Sequence, residues 1–381
     1  MNVSCSTRCI MLVAGEASGD FHGANVVKAL KKKAPDLNFI GIGGNALKDQ
    51  GVKLVADSAQ LSVVGITEVF ARLPHLLSAI KAAKTALGQF KPDLLILIDF
   101  PDFNLFLAGI ARKLKVPVLY YISPQIWAWR TGRVKKIRRL VDHMAVILPF
   151  ETHFYRKHGV QATFVGHPLL DSVSPLSLSR FENNMSSPPV LGLLPGSRNR
   201  EILNHLPVML EAAQKLKKSF PDLKILVSLA SSVNRRVVEQ IMETYSDTLN
   251  AELIEGGASN TFKNVAILVA VSGTVTLEAA LAGVPMVIIY RVSPLSYQVG
   301  KALIRVKFIS LINLIAQRQL LPELIQKEAS PENIAGTVEK MLNNPKQLTS
   351  IHQQLLWIRN SFGNRGASAR VADIALNMIE K

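Results

Sequence analysis

Short unbroken apolar runs alternate along this chain with stretches in which apolar residues recur every three or four positions. The stretch 265–291, VAILVAVSGTVTLEAALAGVPMVIIYR, shows the alternation most clearly. Its apolar run 265–271 is long enough for one strand buried on both faces. Ser272, Gly273 and Thr274 then turn the chain, and Ser or Thr at such a turn caps the free amides of a following helix. The helix is predicted over 276–282, Gly283 stops it, and 285–290 reads as the next strand. Strand, small polar turn and helix start together make a seat for an anion, because backbone N–H groups and the helix dipole both point at it. Glu278, one turn inside, either accepts hydrogen bonds from a ribose diol or is a solvated surface acid.

The same grammar opens the chain. A strand over 9–14 runs into the glycine-bearing turn 15–20, and a helix over 23–33 ends in three lysines, which suits its negative end. The glycine spacing is not that of a dinucleotide fingerprint. Glu16 and Asp20 either face a cleft at the strand's C-terminal end or are a solvated Glu and a capping Asp. Further strands are expected over 37–42, 93–98, 118–122 and 141–148. The strand 93–98 ends in Asp99, and a carboxylate there sits where open α/β sheets hold ligands, so Asp99 is a candidate general base. Asp102 is a plausible cap for a helix over 103–115. Within 61–77, Val64, Ile66, Val69, Phe70, Leu73, Leu76 and Leu77 recur at helical spacing. That pattern by itself favours a core helix, with a membrane-interface helix as the alternative.

Six of the ten residues 130–139 are basic: Arg130, Arg133, Lys135, Lys136, Arg138 and Arg139. Such a run is most often a solvated helix face, but Trp127 and Trp129 just before it also suit a membrane interface or phosphate binding. Residues 172–189 hold six Ser and three Pro, which places an interdomain linker there. The second half restarts with a strand over 190–194 and a Pro-Gly-Ser-Arg turn, whose Arg198 suits phosphate. Asn313, inside an apolar run, is either a structural hydrogen bonder or a ligand contact. The last 50 residues are helical in pattern.

Length and composition, 381 residues of which 48% are hydrophobic, allow two sizeable cores. A net charge of +16 asks for a partner of opposite sign, and a mean hydropathy of +0.22 leans toward a membrane surface over nucleic acid. No apolar run spans a bilayer, and 10–14 is too short for a signal-peptide core, so a cytoplasmic protein is expected. Cys5 and Cys9 read as free thiols. No Asp-x-Asp pair and no Gly-x-Ser-x-Gly elbow occurs, so phosphate-bearing substrates would rely on backbone dipoles and Arg instead of a divalent metal.

AGEASGD (14–20), IDFPDFN (98–104), SPQIWAWR (123–130), LLPGSR (193–198), SGTVTLE (272–278) and SLINLIA (310–316) together resemble the lipid-A-disaccharide synthase family, in order and over nearly the whole chain. The resemblance implies a GT-B α/β fold of two Rossmann-like parallel-sheet domains facing a cleft, with a helical C-terminus. The domains would be 1–171, rejoined by a final helix 366–381, and 190–365, with 172–189 as linker. It implies transfer from UDP-2,3-diacylglucosamine to 2,3-diacylglucosamine 1-phosphate (lipid X), inverting, without metal or cofactor. Asp99 would be the base. Arg198, Ser272, Gly273, Thr274, Glu278 and Asn313 would hold UDP, and Glu16, Ser18 and Asp20 would line the acceptor side. With acylated substrates, Ile66, Val69, Phe70, Leu73, Arg130, Arg133 and Lys136 become contacts to the anionic inner face of the inner membrane, reversing the core reading. A homodimer is compatible with this, and no nucleic acid is expected. Phe21-His22 departs from the aliphatic pair expected after Asp20, with an effect on acyl or sugar contacts. The alternatives are another GT-B enzyme, such as a UDP-GlcNAc epimerase or one with a different lipid acceptor, and a basic non-catalytic binder of membrane or nucleic acid.

Overall fold

The computed structural model describes residues 8–58, 66–129, 131–185, 188–230, 232–293, 297 and 307–380, with the side chains of 66–73, 128 and 129 outside that set. The chain divides into two compact units, Met1–Asp171 with Phe362–Lys381, and Ser172–Ser361. In the first unit β1 (Cys9–Ala14), β2 (Asn38–Gly43), β3 (Lys53–Asp57), β4 (Leu94–Ile98), β5 (Val118–Tyr121), β6 (His143–Val146) and β7 (Ala162–Phe164) make one parallel sheet, ordered 3-2-1-4-5-6-7. The apolar runs are continuous because both faces are covered. Leu95 and Leu97 of β4 pack with one layer of helices, and Leu94, Ile96 and Ile98 with the other. Every β4 side chain is buried, and each such aliphatic side chain contributes about 1.5–3 kcal/mol.

Helices α1 (Ala17–Lys33), α2 (Asn45–Asp49), α3 (Ile66–Phe90) and α4 (Pro101–Lys113) connect the strands from β1 to β5. The helix α1 begins six residues before its expected start, because its glycines serve packing and not a loop. A Cβ at Gly23 would stand 2.9 Å from Ile98 Cδ1. The final helix, Ala367–Ile379, lays Val371, Ala372 and Ala375 into the same core as Val26, Val27 and Leu30 of α1. Lys33 and Asp373 pair across it at the surface, where such a bridge is worth little.

The second unit repeats the plan. Its strands β8 (Val190–Leu194), β9 (Lys224–Ser228), β10 (Ala251–Ile254), β11 (Ile267–Val271), β12 (Met286–Tyr290) and β13 (Glu323–Ile325) are parallel and ordered 10-9-8-11-12-13. Gly283, at φ 83°, ends the helix Thr274–Ala282 in the left-handed conformation that glycine adopts most easily. Residues 172–185 belong to this unit and do not run free. The helix Leu178–Met185 buries Phe181, whose ring stacks on His352 at 4.4 Å. The serines and prolines there shape turns around a packed helix. β3, β7 and β13 escape the apolar pattern because they are short and lie at or near sheet edges, where burial is partial. In each sheet the strand order reverses direction once, between β1 and β4 and between β8 and β11. Open α/β sheets place ligands at such points.

Candidate active site

The first reversal point brings Glu16 and Asp99 together. Glu16 is exposed as the residue preceding α1, and Ser18 is exposed on its first turn. Asp99 follows β4 and is half-buried. Asp99 and Phe100 have φ of 47° and 46°. For residues other than glycine, each such left-handed conformation costs about 1–3 kcal/mol. The Phe100 ring lies over Gly15, where a Cβ would stand 2.2 Å from a ring carbon, so this turn requires glycine. Burial first, and then the charge of Glu16, raise the Asp99 carboxyl from 3.8 to about 6, against a hydrogen bond from the Phe100 amide. A carboxylate with that affinity takes a proton readily and is still ionised near neutral pH.

Asp20 does not join them. Its carboxylate accepts from the backbone N–H groups of Gly44 (2.7 Å), Ala46 (2.9 Å) and Leu47 (3.2 Å). It tethers the start of α2 and caps a helix other than its own. Asp102 does not cap α4, whose preceding residue is Phe100; it pairs with Arg133. Arg133 thus has an ion-pair partner in Asp102. Lys136 lies with Lys135, Arg138 and Arg139 on the exposed face of the helix Val134–Leu140, whose Val134, Ile137 and Leu140 are buried. The side chains of Ile66, Val69, Phe70 and Leu73, and all of Arg130, lie outside the described residues. Just beyond them on α3, Leu77 is exposed.

At the second reversal point, Arg198 follows β8, and Ser272, Gly273 and Thr274 follow β11, its parallel neighbour. No side-chain oxygen caps the helix Thr274–Ala282, so the expected Ser or Thr cap is not made. Thr276 Oγ1 donates to the Gly273 carbonyl at 2.7 Å instead. A Cβ on Gly273 would meet nothing within 4 Å, so the helix start opens onto free space. Thr274 and Glu278 are four residues apart and share a helix face. Burial raises the Glu278 carboxyl above its ordinary value. Arg198 is exposed, and its Nη1 donates to Glu201 Oε1 at 2.9 Å while Ser197 N–H donates to Glu201 Oε2 at 2.8 Å.

Asn313 is buried and fully used. Its Nδ2 donates to Leu321 O (2.8 Å) and Glu323 Oε1 (2.7 Å), and its Oδ1 accepts from the Leu320 and Leu321 amides (both 2.9 Å). An amide side chain has two donors and two acceptor sites, so none is left for a nucleotide. Asn313 serves here as a structural hydrogen bonder.

The surroundings of several groups carry no sequence signal. Glu151 reads as an acid on a surface helix, yet its buried carboxylate accepts from Ser123 Oγ (2.9 Å), Trp127 Nε1 (3.1 Å) and Leu148 N–H (3.0 Å). Burial outweighs these bonds and lifts it from 4.5 to about 7. This acid anchors the SPQIW segment. His22 is turned inward near His167. Burial holds the two at about 4 and about 3, so both are neutral, while Phe21 is exposed. Arg200 and Arg291, with Asn204, Val292 and Ser293, line a cavity of about 260 Å³ in the second unit.

A family model described as lipid-A-disaccharide synthetase matches residues 10–371. The chain is 46% identical over 377 residues to the lipid-A-disaccharide synthase of Geobacter sulfurreducens, covering 98% of this chain and 97% of that one. It is 47% identical to that of Geobacter metallireducens, with the same coverage. Among solved structures, MurG of Acinetobacter baumannii superposes with a TM-score of 0.64 at 18% identity, over 97% of this chain and 99% of that one. A UDP-GlcNAc 2-epimerase from Neisseria meningitidis bound to UDP-GlcNAc gives 0.60 at 14% identity, over 97% and 100%. These two structures share the fold.

Proposed function

We infer the reaction from the family: the chain belongs to the lipid-A-disaccharide synthases, glycosyltransferases of GT-B fold. We propose that it transfers the sugar of UDP-2,3-diacylglucosamine to the 6-hydroxyl of 2,3-diacylglucosamine 1-phosphate. The products are a β-1,6-linked disaccharide 1-phosphate and UDP. The observation that carries this reading is Asp99, half-buried at the reversal point beside Glu16, with its proton affinity raised to about 6.

Asp99 takes the proton of the acceptor hydroxyl as that oxygen bonds to the donor's anomeric carbon and the bond from carbon to the UDP oxygen breaks. Attack opposite the leaving group inverts the anomeric centre. The departing diphosphate gains negative charge, which the open helix start at Gly273–Thr274 and the Arg198 guanidinium stabilise. Arg198 then exchanges Glu201 for phosphate, and Glu278 accepts from the ribose diol. Among the described residues no cluster of three His, Cys, Asp or Glu side chains gathers that could hold a metal ion. The first unit would take the acceptor and the second the UDP-sugar, with Glu16 and Ser18 on the acceptor side.

No helix among the described residues is long and apolar enough to cross a membrane. Membrane contact is proposed through the start of α3 and the exposed Lys135, Lys136, Arg138 and Arg139, on the inner face of the inner membrane. Replacing these four with Glu should abolish co-flotation with anionic vesicles at low salt, and undiminished flotation would remove this face from the docking surface. The reaction is tested by mass spectrometry with both acylated substrates and EDTA present. Disaccharide 1-phosphate is the expected product. UDP released without lipid X, or no product from folded protein that binds UDP, would overturn the assignment.

A further inference from the structure

Asp99 is held through its backbone as well as its carboxylate. Tyr120 Oη donates to the Asp99 carbonyl at 2.6 Å, and Asn104 Nδ2 donates to the same oxygen at 2.6 Å. Asn104 Nδ2 also donates to the Ile98 carbonyl at 3.1 Å. The orientation of this amide follows from its partners, since the reverse would set its oxygen against two carbonyl oxygens. Asn104 Oδ1 has no partner among the described residues, so the side chain forgoes an acceptor bond to keep its donors there. Both residues are fully buried, and neither can touch a sugar or a phosphate.

These donors converge on the one consecutive pair of left-handed non-glycine residues among the described residues, Asp99 and Phe100. A conformation of that kind persists only where its surroundings over-determine it. Here two donors fix the carbonyl of residue 99, and the Phe100 ring fits over Gly15. We propose that Tyr120 and Asn104 are positioning residues for Asp99, holding its carbonyl so that the carboxylate stays where it meets the acceptor hydroxyl. The proposal rests on Asp99 being the base. With the clamp loosened, residues 99–100 relax toward ordinary φ and the carboxylate is displaced. A displacement of about 1 Å is enough to lower a rate about 100-fold.

The test is a kinetic cycle with Tyr120→Phe, Asp99→Asn and the double variant, with thermal melts on each. Tyr120→Phe removes one donor and leaves the Asp99 carbonyl bonded to Asn104, so the fold should survive. The expected result is a kcat lower by about 10- to 100-fold, with KM for both substrates within about twofold. In the Asp99→Asn background the same change should have no further effect, because a residue acting through Asp99 has nothing left to position. Normal kcat in Tyr120→Phe with an inactive Asp99→Asn would overturn the clamp and leave the base assignment standing. An equal loss in both backgrounds would also overturn it, since Tyr120 would then act elsewhere. Near-normal turnover in Asp99→Asn would overturn the base assignment and the clamp together. If Tyr120→Phe does not fold, Asn104→Leu takes its place in the cycle. Unfolding of both would make these contacts a requirement of folding and refute the positioning role.

Discussion

The turns after β4 and after β11 hold the same topological position in their two sheets, yet they are built in opposite ways. After β4 the backbone is left-handed at two consecutive residues, a ring lies over a glycine, and a carboxylate is desolvated beside a second acid. After β11 the Gly273 backbone is extended at φ 168°, no side chain caps the helix, and the space around the turn is open. The contrast matches what the two proposed tasks require. A proton acceptor must be ionised yet willing to take a proton, and must be aimed, which calls for burial, a neighbouring like charge and a constrained backbone. An anion seat needs only uncovered amides and a helix dipole, which an unstrained turn supplies.

The sharpest way to break this comparison is Asp99→Asn, expected to lower turnover by about 100- to 10,000-fold while UDP binding, read by calorimetry, survives. The wild-type enzyme should lose kcat/KM as pH falls through about 6, because protonated Asp99 cannot accept the acceptor's proton. A flat profile down to pH 5 would contradict the assignment. Arg198→Ala should act on the other side of the comparison. Loss of a charge-assisted contact worth about 1.5–3 kcal/mol corresponds to UDP binding about 10- to 100-fold weaker. Unchanged UDP affinity would take Arg198 out of the anion seat.

Asn313→Ala should sharpen the division between ligand and scaffold. It strands the Leu320 and Leu321 amides, for a loss of about 2 kcal/mol or more and a melting temperature lower by about 5 °C. UDP affinity should hold, and a selective loss of it would return Asn313 to the nucleotide. The smallest effect is expected of Glu151→Gln. Between pH 4.5 and about 7 the native protein holds a proton on Glu151 that the unfolded chain has released, so stability falls as pH rises through that window. The variant should flatten that part of the stability profile, and an unaltered slope would place the proton elsewhere.

Asp99, Arg198 and the 272–278 turn were legible in the sequence because each follows an apolar run at a strand's C-terminal end, where period and position alone indicate a ligand-facing turn. Asp20 and Asn313 were legible as polar residues in telling places, but their partners were not. Asp20 finds the amides of 44–47, and Asn313 those of 320 and 321. Glu151 had no signal at all, since an acid one turn into an amphipathic helix reads the same whether it faces water or Ser123.

Two parallel-sheet domains and the order of their turns could be read along the chain, because periodicity and local turn chemistry are written within a few residues of each other, and the family followed from the resemblance of its motifs. Which carboxylates are spent on the backbone, and which stands half-buried with a raised proton affinity, was set by long-range packing. Those outcomes depend on donors that arrive from other strands, as Tyr120 and Asn104 arrive at Asp99, and on how much water the assembled sheet leaves beside each charge.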